Sequence, residues 1–98
     1  MTSETAKICA VHVIITGHVQ GVWFRGWTES QAKQFGVAGW VRNRRDGTVE
    51  AIFSGQAAAV DAILRACSVG PPEADVTKII KFPVAIPRTQ RFSVLATK

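Results

Sequence analysis

The sequence predicts an α+β fold of the ferredoxin-like (split βαβ) type, with two helices on one face of an antiparallel sheet. Apolar residues recur at strand and helix spacing in the order β-α-β-β-α-β, with a short extra strand at the end. The pair Asp46-Gly47 separates the two central apolar runs, and Asp-Gly in that position is typical of a β-hairpin. A chain of 98 residues suffices for one hydrophobic core, so we expect residues 1–98 to form a single domain.

Each element follows from a local pattern. β-Branched and apolar residues with period two predict strands, and apolar residues three to four apart predict helices. Gly36 is a suitable stop for the first helix, and Gly70-Pro71-Pro72 for the second. The predicted strands cover residues 8–16, 37–43, 48–54, 76–82 and 91–96, and the predicted helices cover residues 24–35 and 56–67.

Composition narrows the class of protein and of ligand. Hydrophobic residues make up 47% of the chain and charged residues 19%, as in ordinary globular proteins. Twelve Lys and Arg against seven Asp and Glu give a net charge of +5, which attracts anions such as phosphorylated small molecules, nucleic acids or membrane surfaces. No apolar run approaches the roughly 20 residues of a membrane span. The first residues show no signal-peptide pattern, so we expect a cytoplasmic protein.

The segment Gly17–Arg25, with the sequence GHVQGVWFR, carries the strongest functional signal. It lies between the first predicted strand and the first predicted helix. Two glycines four positions apart free the backbone to curl, and a curled loop at a helix N-terminus directs backbone N–H groups toward one point. The guanidinium group of Arg25 adds a charged fork that suits phosphate oxygens. The segment is therefore predicted to be a phosphate-binding loop.

A second segment, Gly39–Asn43 with the sequence GWVRN, follows after one helix. In a split βαβ fold the first and second strands run parallel with the third between them, so their C-terminal ends share one edge of the domain. Alternation along the strand places Val41 and Asn43 on one face and Arg42 on the other. If Val41 faces the helices, Asn43 points toward the loop.

Together the two segments closely resemble the acylphosphatase family, and the similarity extends over about residues 7 to 97. The resemblance implies a hydrolase that converts acyl phosphates to a carboxylate and inorganic phosphate. It assigns Arg25 as the catalytic, phosphate-binding arginine and Asn43 as the residue that orients the attacking water. It assigns to the phosphate loop the residues Val19, Gln20, Gly21, Val22, Trp23, Phe24 and Arg25. This chain departs from the family pattern at His18, where arginine is frequent, and at Gly26, which we expect to weaken the first helical turn by about 1 kcal/mol relative to alanine.

The residue types fit this chemistry without a metal ion or other cofactor. A carboxylate leaving group is stable as an anion, so no general acid is required. Transfer of a phosphoryl group to water then depends on positioning and charge stabilisation, which N–H groups and an arginine supply. The amide of Asn43 is suited to hold a water molecule by hydrogen bonds. The two segments contain no carboxylate, so we expect the proton to pass to the substrate's own phosphate group, and no cluster of ligands suggests Mg²⁺ or Zn²⁺.

Two other functions stay open as alternatives, both for a non-catalytic ferredoxin-like module. A phosphate- or carbamoyl-phosphate-binding domain would need the loop, but the presence of both Arg25 and Asn43 argues against lost turnover. An RNA-binding module would stack bases on aromatic residues of the central strands. The predicted open face of those strands has no aromatic pair, and we expect His12 there to be solvated. We therefore expect a monomer that takes a small acyl phosphate, releases inorganic phosphate, and binds neither nucleic acid nor membrane.

Overall fold

Five strands and two helices are present in residues 7–98, the part of the chain that the computed structural model describes. They follow one another in the predicted order. In chain order they are β1 (Ile8–His18), α1 (Phe24–Phe35), β2 (Ala38–Asn43), β3 (Val49–Gln56), α2 (Ala57–Cys67), β4 (Asp75–Pro83) and β5 (Phe92–Val94).

The strands form one sheet in the order β4-β1-β3-β2-β5. β3 pairs antiparallel with both β1 and β2, so β1 and β2 run in the same direction on either side of it. β4 pairs antiparallel with β1, whereas β5 pairs parallel with β2. The split βαβ fold is confirmed, but the last strand makes the sheet mixed rather than wholly antiparallel. β5 starts at the end of the sheet where β4 stops, so it runs opposite to β4 and therefore alongside β2.

Strand boundaries differ from the predicted ones by a few residues. β1 continues to His18 because its pairing with β4 resumes after an irregularity between Thr16 and Gly17. Gly17 has φ +131°, and a Cβ there would overlap the carbonyl oxygen of Asp75 and lie 2.8 Å from the amide nitrogen of Thr77. Glycine at this position therefore lets β4 approach the end of β1, directly before the predicted phosphate loop.

The core lies between the helices and one face of the sheet, as the alternation in β1 predicts. Val13 and Ile15 are fully buried, and from β3 so are Ala51 and Phe53. Each large aliphatic or aromatic side chain buried in this way stabilises the fold by about 1.5–3 kcal/mol. From the helices the core receives Phe24, Thr28, Ala32, Val60, Ile63 and Cys67. Both cysteines are free, and burial raises the pKa of the Cys67 thiol to about 12, so this thiol stays protonated.

The expectation that His12 is solvated on the open face is wrong. Its Nε2 lies 2.6 Å from Oε2 of Glu50, and its ring packs edge-on against Phe82 with the ring centroids 4.9 Å apart. The other oxygen of Glu50 accepts a 2.8 Å hydrogen bond from Nε of Arg42, whose guanidinium lies over the Trp40 ring. Burial alone would raise the pKa of the Glu50 carboxyl, but the hydrogen bonds from Arg42 and His12 and the charges of these two side chains together outweigh burial and lower it. The Glu50 side chain, on β3, thus links His12 of β1 to Arg42 of β2 across the open face.

Within residues 7–98, neither helix is both long enough and apolar enough to cross a membrane.

Candidate active site

The predicted phosphate loop joins β1 to α1 and is tightly curled. Two of its residues have left-handed backbone conformations, Gly21 with φ +74° and Trp23 with φ +67° and ψ +27°. Trp23 is also the residue that precedes the first turn of α1, and its carbonyl accepts a 3.0 Å hydrogen bond from the amide of Trp27. A curl of this kind at a helix N-terminus directs backbone N–H groups to a common point and suits an anion.

Two kinds of contact fix the loop to the rest of the fold. Val19 and Val22 point into the core, where they are 1% and 7% exposed. The side-chain amide of Gln20 donates hydrogen bonds of 2.7 Å and 2.9 Å to the carbonyl oxygens of Arg44 and Thr48. Gln20 therefore attaches the loop to the β2–β3 hairpin, directly after Asn43.

Asn43 is the last residue of β2, and its backbone is held on both sides. It pairs with Val49 of β3, and its carbonyl accepts a 3.0 Å hydrogen bond from the amide of Lys98. Val41 is fully buried toward the helices, while Arg42 lies on the open face with Glu50. Asn43 therefore lies on the helix side of the sheet, at the edge where the loop is, as the alternation predicted.

Arg25 lies in the first turn of α1 and is half-buried. Among residues 7–98, no carboxylate lies within 4.0 Å of its guanidinium nitrogens. A guanidinium without an internal partner keeps its hydrogen-bond donors free for an incoming anion.

The loop, Arg25 and Asn43 share one cleft of about 450 Å³. Of the eight residues that the sequence assigned to the site, seven line this cleft and one, Val22, points into the core. The residues that line it are Val19, Gln20, Gly21, Trp23, Phe24, Arg25, Gly26, Glu29, Asn43 and Val94. His18 is exposed and does not line the cleft.

Sequence reasoning assigned three of the lining residues no place in the site: Gly26, Glu29 and Val94. Glu29 lies four residues after Arg25 on α1, a spacing that places two side chains on one helix face and could have revealed it. Its carboxylate lies 3.8 Å from the ammonium group of Lys33, on the next turn. Val94 comes from β5, far along the chain, and nothing in the local sequence indicated that this strand returns to the loop.

The part of the chain that the structure describes holds no group of three or more His, Cys, Asp or Glu side chains suited to a metal ion. Among the described residues that line the cleft, Arg25 is the one with a positively charged side chain, and the N-terminus of α1 adds a partial positive charge.

The fold and the cleft define a small α+β protein in which an arginine of the first helix and an asparagine at the end of β2 line one cleft. Residues 11–94 match the family model described as acylphosphatase. The chain belongs to the acylphosphatase family.

Individual relatives agree with the family model. The chain is 59% identical to an acylphosphatase of Rhodospirillum rubrum over 81 residues, which cover 83% of this chain and 89% of the relative. The crystal structure of acylphosphatase from Bacillus subtilis matches with a TM-score of 0.86 and 33% identity, covering 91% of this chain and 99% of that one. An acylphosphatase structure from Coxiella burnetii matches with a TM-score of 0.88 and 28% identity, and the match covers 97% of this chain and 100% of that one.

Proposed function

We propose that this protein hydrolyses acyl phosphates to a carboxylate and inorganic phosphate, in the cleft at the N-terminus of α1 and without a metal ion. The observation that carries the proposal is that Arg25 and Asn43, from two separate sequence segments, line one cleft. Membership of the acylphosphatase family supports the same reaction.

In this proposal the loop and Arg25 hold the phosphate group. The backbone N–H groups of residues 19–25 bind its oxygens, and the guanidinium of Arg25 neutralises their charge. Because the leaving group is a carboxylate, the main demand on the protein is to stabilise charge on the transferring phosphoryl group. Donors fixed in advance around that group meet this demand without reorganisation during the reaction.

Asn43 orients the attacking water in line with the bond that breaks. Its side-chain oxygen accepts a hydrogen bond from water and its amide nitrogen donates one, so a neutral amide can fix both position and direction. The backbone contacts of Asn43 with Val49 and Lys98 hold its Cα in place. Water forms a new bond to phosphorus, the bridging P–O bond breaks toward the carboxylate, and the proton of the water passes to an oxygen of the substrate's phosphate.

Glu29 also lines the cleft, so its carboxylate is a candidate general base that could take the proton of the attacking water. The ion pair with Lys33, at 3.8 Å, gives this carboxylate a different partner. We therefore expect Glu29→Gln to keep most of the turnover of acetyl phosphate. Loss of turnover in this variant, with the fold intact, would identify Glu29 as a general base.

Both residues to which the proposal gives a catalytic role, Arg25 and Asn43, line the cleft within a single chain. In this proposal the protein is a monomer in the cytoplasm. It acts on a free small molecule and not on nucleic acid or a membrane.

The decisive experiment follows phosphate release from acetyl phosphate by the purified protein in the presence of EDTA. We expect turnover well above the spontaneous reaction. Phenyl phosphate provides the matched control substrate and should turn over far more slowly, because its phenolate leaving group is much more basic than a carboxylate and needs a general acid, a role that the proposal gives to no residue. Binding of phosphate without turnover of acetyl phosphate would instead favour the non-catalytic phosphate-binding module.

A further inference from the structure

We propose that Trp23 recognises the acyl part of the substrate, and that the cleft selects acyl phosphates with an uncharged aromatic acyl group. This inference rests on the proposed function, since it concerns the other half of the same substrate. Four observations on Trp23 and its surroundings carry it.

The first observation is exposure. The Trp23 side chain is 66% exposed, although a large apolar side chain is ordinarily buried. It stands in the lining of the cleft that also holds Arg25 and Asn43. An exposed aromatic ring beside a charged binding group is well placed to pack against the apolar part of a ligand.

The second observation is the backbone of Trp23. Within residues 7–98 it is the one residue other than glycine with a positive φ, at +67°. The left-handed region is unfavourable for a bulky side chain, and residues held in it are concentrated at ligand and active sites. The neighbouring Gly21 adopts the same region without this cost.

The third observation explains Gly26. A Cβ at position 26 would overlap Nε1 of the Trp23 indole and lie 2.8 Å and 2.9 Å from its Cε2 and Cδ1. The indole therefore lies against the bare backbone of the first turn of α1, in the space that any side chain at position 26 would occupy. Glycine weakens the helix here, but it also leaves the space in which the Trp23 ring packs against the helix backbone.

The fourth observation is the size and lining of the cleft. Its volume of about 450 Å³ falls in the range of sites that hold whole small molecules, and it exceeds what a phosphate group fills. Val94 adds a second apolar side chain to the lining, and it is 40% exposed. The carboxylate of Glu29 in the same lining disfavours an acyl group that carries a further negative charge.

Trp23 also borders a second, shallow hollow of about 350 Å³ that Pro71 and Pro72 line. Glu73 also lines this second hollow, so Trp23 lies between the phosphate cleft and a surface with both apolar and acidic residues. A flat acyl group attached to a phosphate in the loop has the indole beside it, which favours an aromatic ring over a methyl group.

The test compares two inert analogues in which a CH₂ group replaces the bridging oxygen. Phenacylphosphonate imitates an aromatic acyl phosphate, and acetonylphosphonate imitates acetyl phosphate. Calorimetry gives the dissociation constant of each for the wild type, Trp23→Ala and Gly26→Ala. We expect the wild type to prefer phenacylphosphonate by about 10-fold, and both variants to lose most of that preference.

Gly26→Ala is the sharper variant, because it displaces the indole without removing it and adds a better helix-forming residue. In the Trp23→Ala background we expect Gly26→Ala to have no further effect on the affinity ratio, since the two act through one contact. Phe82→Ala is the matched control. It removes another exposed aromatic ring, on the open face of the sheet, and should leave the ratio unchanged.

An unchanged affinity ratio in both variants would overturn the proposal. So would an equal loss of affinity for both phosphonates and for inorganic phosphate, because Trp23 would then act on the phosphate loop alone. The measurement requires no turnover, so a protein that failed to hydrolyse acetyl phosphate would contradict the proposed function without deciding the role of Trp23.

Discussion

The side-chain amide of Gln20 donates a hydrogen bond of 2.7 Å to the carbonyl oxygen of Arg44, the residue that follows Asn43. A second hydrogen bond from the same nitrogen reaches the carbonyl oxygen of Thr48 at 2.9 Å. The loop proposed to hold the phosphate and the strand proposed to hold the water are therefore joined by one side chain. In the proposed reaction, the distance between the phosphorus atom and the attacking water therefore depends on the two hydrogen bonds of Gln20.

Gln20→Ala should uncouple the two segments. We expect a loss of about 1–2 kcal/mol in the free energy of unfolding, because two part-buried carbonyl groups each lose one donor. We also expect kcat to fall by 10-fold or more, since small misplacements of reacting groups are costly. Urea unfolding and steady-state kinetics measure the two effects. Gln34→Ala, at an exposed position of α1, is the control and should change neither.

Glu50 should make stability depend on pH in the acid range. Its folded pKa lies below the ordinary value of 4.5, so its contribution is fully present above pH 4.5 and is lost as pH falls through the folded pKa. We expect Glu50→Gln to be about 1–3 kcal/mol less stable than the wild type at pH 7. The gap should narrow progressively below pH 4.5, as followed by urea unfolding across pH.

The exposed Glu73 provides the control for this series, since Glu73→Gln changes a surface carboxylate. A stability gap between wild type and Glu50→Gln that stayed constant down to pH 2 would show that the carboxylate charge of Glu50 has no stabilising role.

Most of the fold could be predicted because each element has a strong local pattern. The alternation in β1, the Asp46-Gly47 turn, the stop of α1 at Gly36 and the Gly70-Pro71-Pro72 segment shortly after the end of α2 are all signals within a few residues. The position of the loop and Asn43 at one cleft could also be predicted from the sequence. The split βαβ order places the C-terminal ends of β1 and β2 at the same edge of the sheet.

The features that sequence reasoning missed depend on contacts between distant residues. His12 was expected in solvent because nothing near it in sequence offers a partner, whereas Glu50 is 38 residues away. The direction of β5 depends on how the chain passes from one edge of the sheet to the other. The contact of Trp23 with Gly26 was missed for a different reason, since the two residues are only three positions apart. It depends on a left-handed backbone that a tryptophan rarely adopts, so the sequence indicated Gly26 only as a residue that weakens the helix.

Asn43→Ala should separate water positioning from phosphate binding. We expect kcat for acetyl phosphate to fall by about 100-fold or more, while the inhibition constant for inorganic phosphate changes by less than about 3-fold. The reason is that the amide contacts the attacking water and not the phosphate oxygens. If phosphate binding were lost and turnover of bound substrate were normal, the roles proposed for Asn43 and Arg25 would have to be exchanged.

Arg25→Ala should remove both turnover and phosphate affinity. We expect kcat/KM to fall by about 100- to 1,000-fold or more, because one charged donor to the transition state is lost. Inorganic phosphate should raise the Tm of the wild type, since it binds the folded loop only, and should not raise the Tm of the variant. Arg88→Ala, at an exposed arginine outside the cleft, should behave like the wild type in both assays. Near-normal activity in a folded Arg25→Ala protein would remove the basis of the assignment.

Hydrolysis of acetyl phosphate in water labelled with oxygen-18, with EDTA present and the spontaneous reaction subtracted, tests the central claim most directly. The account places the attacking water on phosphorus, between the loop and Asn43, with no metal ion. It therefore predicts that the label appears in inorganic phosphate and that acetate stays unlabelled. Label in acetate would show that water attacks the carbonyl carbon, and a reaction abolished by EDTA would show that a metal ion takes part; either result would contradict the mechanism.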